Sequence, residues 1–132
     1  MRTKSSLVSY VTEQLSFLGR VSSKGIFGVT GIFLEERLLG IVVDDNTLYL
    51  HTGPTNRDDY EARGMQQFKP YPNAFDLTTD HHRVPSDVLA DEALLREWAA
   101  RALNASIEAA KAKQLAGIER SRHAKQAKRK KR

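Results

Sequence analysis

The side chains in this sequence that could do chemistry are four histidines, several adjacent acid pairs, a set of spaced glycines and a dense block of cations. His81-His82 is the natural starting point for a metal site. Successive strand residues point to opposite faces of a sheet, so these two would not close on one ion together. His51 and His123 fall on other elements, Asp80 is the one nearby carboxylate, and no His-Glu-x-x-His spacing occurs. Ligand spacing of the kind a zinc centre needs is missing, and no metal or other cofactor is expected. The acid pairs Glu35-Glu36, Asp44-Asp45 and Asp58-Asp59 sit at expected turns or a helix start. General acid–base work needs carboxylates converging in a cleft, and solvated turn and cap residues explain these pairs more simply. Gly25-x-x-Gly28-x-x-Gly31 lacks the Lys-Ser/Thr of a phosphate loop and no helix start follows it, so strand bulges or tight turns are expected there. There is no Gly-x-Ser-x-Gly elbow and no cysteine, and an enzyme is not expected.

The cations are the strongest signal. Residues 111–132 hold ten Lys and Arg against Glu119 alone, a net of +9, whereas residues 1–110 hold eleven basic and fifteen acidic residues, a net of −4. The total of +5 describes neither part. The pattern is that of a mildly acidic body carrying a cationic arm. Arg120, Arg122, Lys125, Lys128, Arg129, Lys130, Lys131 and Arg132 are the residues expected to contact nucleic acid. Phosphate neutralisation with counterion release gives such a segment affinity that does not depend on base sequence. No aromatic residues interleave with the cations, so base stacking is not offered. A solubilising tail without a partner would have the same composition.

The elements that must position these residues follow from periodicity. Leu7, Val8, Val11, Leu15 and Leu18 recur at helical spacing. They predict a first helix over about 6–18, capped by Ser5 or Ser6 and ended by Gly19 in a left-handed conformation. β-Branched and aromatic runs then predict strands at Arg20–Ile26, Thr30–Leu34, Leu38–Val43 and Thr47–Leu50. Glu35-Glu36-Arg37 and Asp44-Asp45-Asn46 would form the hairpin turns between them. Connections this short force antiparallel neighbours, hence a meander. Leu39-Gly-Ile-Val-Val is apolar on both faces, as in a central strand, with Gly40 marking a bulge or a close backbone approach. Residues 56–64 read as a short helix capped by Asn56 and ended by Gly64. Pro70 and Pro72 demote Phe68–Tyr71 to an edge strand or loop, and Phe75–Val84 is the last strand, stopped by Pro85. A long helix starts at Ser86 or Asp87, with Leu94, Leu95, Trp98, Ala102, Leu103 and Ile107 as its apolar stripe and Trp98 in the core. Gly117 is its weak point, and beyond Arg120 like charge without an apolar stripe predicts disorder in isolation.

At 132 residues the chain is one domain over 1–110, with enough apolar content (40%) for a modest core, plus a basic extension over 111–132 that is helical at first. No apolar run reaches the roughly 20 residues of a membrane span, and the segment after the N-terminal charges is amphipathic, unlike a signal peptide. Cytoplasm is the expected compartment and no membrane partner is expected.

One ordered set of residues carries a resemblance. Ile26-Phe-Gly28, Gly31-Ile-Phe33, Leu39-Gly-Ile-Val-Val-Asp44 and Leu48-Tyr-Leu50 are followed by Tyr60-Glu-Ala-Arg-Gly64, Phe68, His82-Arg-Val-Pro85 and Leu95-x-x-Trp98-Ala-x-x-Ala102. Over about residues 5–108 this resembles the N-terminal domain of the TfoX/Sxy family. The resemblance implies an α+β fold: an antiparallel meander with an N-terminal helix, a short middle helix and a long C-terminal helix, similar to type III secretion chaperones. Phe27, Gly28, Gly31, Leu48, Tyr49, Val84, Pro85 and Trp98 match positions expected to define that fold. Val29 departs from the second Gly of the family's Phe-Gly-Gly pair, and His81-His82 from its paired tyrosines. Full-length relatives regulate competence for DNA uptake and continue into a helical second domain. Here the basic arm stands where that domain would begin. The resemblance implies a regulatory or adaptor role with a protein partner, a second copy of the chain included, and no established catalytic residues. The alternative expectation is a protein- or peptide-binding module with no role on nucleic acid.

Overall fold

The computed structural model describes residues 6–26, 28–69 and 79–130. Helix α1 (Ser6–Leu15) closes in a 3-10 turn (Ser16–Leu18). Strands β1 (Val21–Ile26), β2 (Val29–Leu34), β3 (Arg37–Val43) and β4 (Thr47–His51) follow, then helix α2 (Arg57–Glu61), strand β5 (His81–Arg83) and helices α3 (Ser86–Ala90) and α4 (Glu92–Lys130). The five strands form one antiparallel sheet in the order β1-β2-β3-β4-β5. The α+β meander expected from the sequence is the observed architecture.

Short-range turn chemistry sets the register. Gly28 adopts φ 86° in the β1–β2 turn. In the next two turns Glu35, Glu36, Asp44 and Asp45 all have positive φ, the geometry that matches the right-handed twist of tight hairpins. Gly25 and Gly31 lie in the paired strands on either side of Gly28, so the spaced glycines build a hairpin.

The bulge falls where Gly40 pointed. Ile32 pairs with Gly40 and Phe33 with Leu38, which leaves Leu39 as the extra residue. Strict alternation would put Leu39 and Val42 on opposite faces; the insertion brings both into the core. Gly40 is also a close approach, because a Cβ there would lie 3.0 Å from the Tyr49 carbonyl oxygen and 3.2 Å from Leu50 Cδ2.

One face of the sheet buries Ile32, Leu34, Leu48 and Leu50 against α1 and α4, which contribute Val11, Leu15, Leu95, Trp98, Ala99 and Ala102. The Trp98 ring meets Tyr60 edge-on, with centroids 4.7 Å apart. Trp98 therefore lies in the core as expected. The α4 stripe also uses Ala99 and Ala105, small side chains that let the helix settle close to the sheet and to the loop at Gly53.

Several expected boundaries shift. The Asp45 carboxylate, from the β3–β4 turn, accepts the Leu7 N–H at 2.8 Å and caps α1; Ser5 lies outside the described residues. Gly19 has φ 147° and ψ −161°, positive but extended rather than left-handed helical. A Cβ there would meet Glu35 Oε2 at 2.6 Å. Asn56 occupies the N-cap position of α2 but its side chain accepts no capping hydrogen bond from the helix. Its buried amide instead accepts from Gly53 N–H and donates to the His51 carbonyl. Gly64, at φ 70°, ends α2 as expected. β5 is only three residues long; of the expected strand Phe75–Val84, residues 75–78 lie outside the described residues, as do Phe27 and the segment with Pro70 and Pro72, and Thr79, Asp80 and Val84 are not strand. Residues 66–68 pair with β5 beyond the named strands, Phe68 N–H donating to the His81 carbonyl and Arg83 N–H to that of Gln66.

The single long helix expected from Ser86 is two. Asp91 leaves helical geometry at φ −108°, ψ 111°, and its carboxylate accepts the Leu94 N–H to start α4. At the other end, α4 passes through Gly117 and continues to Lys130, where the sequence reading placed disorder. One glycine costs a helix only about 1 kcal/mol, and Ala, Gln, Lys and Arg around it are strong helix formers.

Candidate functional site

Two regions carry groups that could act on a partner: the arm on α4 and the sheet face turned away from the helices.

Among the described residues, the last buried side chain of α4 is Ser106. Its hydroxyl and carbonyl accept from Arg37 Nη1, which reaches across from the start of β3. After that anchor the helix leaves the body. Lys111, Ala112, Lys113, Gln114, Leu115 and Ala116 are consecutive and all exposed, so no face of this stretch is covered. Leu115 and Ile118 are 63% and 45% exposed. Arg120, Arg122, Lys125, Lys128, Arg129 and Lys130 follow on the same helix, and Lys131 and Arg132 lie outside the described residues. The expected contact residues are thus strung along one rod rather than gathered into a pocket. On the body, Arg101 bridges Asp59 and Glu97, and Arg63 pairs with Asp87.

Strand alternation puts Tyr49, His51, His81 and Arg83 on the sheet face away from the core. Tyr49 and Phe68 stack at 5.0 Å beside an open groove of about 410 Å³ lined by Val43, Tyr49, Gln66, Gln67, Phe68 and Lys69. His82 turns the other way, into the core, where Nδ1 and the Thr52 hydroxyl share a 2.7 Å hydrogen bond and Tyr60 packs on the ring. The two adjacent histidines do face apart.

What sequence reasoning missed is the partner of His81. His51 and His81 are cross-strand neighbours, with ring centroids 5.3 Å apart and planes at 88°. Nε2 of each ring is buried without a hydrogen-bond partner, while His81 Nδ1 bonds the Thr79 hydroxyl. Burial holds the His81 imidazole down at about 4, the nearby His51 adding to the depression and Asp80 opposing it. Burial lowers His51 too, again against Asp80. Both rings are therefore neutral near pH 7. Thirty residues separate them in sequence, and only the β4–β5 register joins them; the one local signal was that each begins or ends a strand. No group of three His, Cys, Asp or Glu side chains able to hold a metal is found among the described residues. The acid pairs Glu35-Glu36 and Asp44-Asp45 occupy turns, and Asp58-Asp59 the first turn of α2, so no two pairs converge on one cleft. No helix among the described residues is long and apolar enough to cross a membrane.

The family model of the TfoX N-terminal domain matches residues 13–106. That span ends at Ser106, where α4 leaves the body. No curated protein matches the chain.

Proposed function

The chain belongs to the TfoX N-terminal domain family, and from that premise we propose a regulatory or adaptor domain with no catalytic chemistry of its own. The body engages a protein partner, a second copy of the chain included, and the arm adds electrostatic affinity for nucleic acid. Membership of the family supports a role as a co-regulator of transcription or competence. One observation carries the reading: the net +9 lies entirely beyond the matched domain, next to a body of net −4, and the helix that carries the described part of it is exposed at every position from Lys111 to Ala116. Such a split serves no purpose in folding the body, and suits a partner made of phosphates. The cytoplasm is the compartment where that partner is met.

The test is a salt titration of DNA binding by the full chain and by a chain lacking Gly117–Arg132. If the arm neutralises about six phosphates, log K falls with log salt at a slope near −5. Binding that ignores salt, or survives the deletion unchanged, removes nucleic acid from the reading. In that event the groove beside the Tyr49–Phe68 pair supports the second reading, a peptide- or protein-binding module. Its signature is recovery of one defined protein partner equally well with and without the arm.

A further inference from the structure

We propose that the polyanion received by the arm is duplex DNA, with α4 seated in the major groove, and that binding the duplex stabilises the helix. The inference rests on the reading above and narrows it from polyanions in general to one.

Shape is the first argument. From Lys111 to Lys130 the arm is a continuous helix about 30 Å long, and a helix with its side chains is about 10–12 Å across. The major groove of B-form DNA is about 12 Å wide and admits a helix. The major groove of A-form RNA is deep and narrow and does not.

Chemistry is the second. Single strands are gripped by stacking bases on aromatic rings as well as by charge. No Phe, Tyr or Trp follows Trp98, and His123 is the sole ring in the arm. What the arm supplies is cations on a rod, which suits the two phosphate walls of a groove.

Energetics is the third. The arm has no packing partner through Ile118, and helices take most of their stability from packing. Lys125 and Arg129 are like charges at i,i+4, a spacing that opposes the helix. Phosphates on both sides would remove that repulsion, so neutralisation should stabilise the helix.

The experiment compares a ~20-bp DNA duplex, one of its strands, a duplex RNA of the same sequence and heparin, all at about 0.15 M salt. Binding is read by anisotropy or competition and helix content by far-UV circular dichroism. The full chain should prefer duplex DNA over the strand, the RNA and heparin by roughly tenfold or more, with a gain in helical signal on binding. Ala124→Pro leaves the charge untouched but breaks the helix; it should erase the preference while keeping weak, salt-dependent binding to all four. Equal affinity for all four by the full chain, or a duplex preference that survives Ala124→Pro, overturns the proposal and leaves a plain electrostatic arm. Binding to none of them overturns both this proposal and the reading beneath it.

Discussion

His81 shows how a residue's role depends on what it meets. A strand histidine alone is an unremarkable polar side chain; beside His51, and buried, it is a group that the folded chain keeps uncharged. The consequence for stability has a definite sign. Unfolded histidine takes up a proton near pH 6.5, whereas the folded His81 resists until about pH 4. Stability is therefore fully present above pH 6.5 and is lost as pH falls toward 4, by up to about 3 kcal/mol for His81. His51 and His82, both lowered by burial, add in the same direction. Urea midpoints measured from pH 7 to 4.5 should fall steadily. His81→Phe, which keeps a ring against His51 and removes an unpartnered nitrogen, should flatten most of that fall at little cost at pH 7. A midpoint independent of pH in the natural sequence would contradict the burial of the pair.

At the scale of elements, the hairpins do more than connect strands. Asp44 and Asp45 take positive φ so that β3 and β4 stay in register, and the same Asp45 caps α1 from across the sheet. One turn thus fixes two elements, as a cap offered by Ser5 or Ser6 would not. Asp45→Ala should lower the unfolding free energy by about 1 kcal/mol or somewhat more, since it loses a cap and puts a less tolerant residue at positive φ. Asp45→Asn should recover most of the loss, because Asn accepts the same bond and tolerates the same backbone. Equal losses for Ala and Asn in urea denaturation would show the carboxylate's charge, rather than its acceptor, to be what matters. The four strands from Arg20 to Leu50, and the bulge at Gly40, were legible because they rest on alternation and nearby turn residues. The break at Asp91 was legible in principle, as an acid one residue before a helical stretch, but continuous apolar periodicity across it from Val88 to Leu95 hid it.

For the whole molecule, the body and the arm are separable. Among the described residues, every buried side chain of α4 lies at or before Ser106, and the family match stops at the same residue. Removing Gly117–Arg132 should therefore leave the urea midpoint of the body within experimental error, because no core contact is lost. A clear drop would mean that the arm returns to pack on the body. The fully exposed positions from Lys111 to Ala116 predict early proteolytic cutting there in the absence of a partner.

The sequence by itself determined the meander, the family, the core stripe of α4 and the division of charge. These rest on periodicity, turn residues and composition, all properties of neighbours along the chain. Tertiary structure decided which distant groups share a site: His51 with His81, Asp45 with Leu7, Arg37 with Ser106. The pairings depend on strand register and on packing across 30 to 69 residues of chain, and no local pattern encodes a partner that far away.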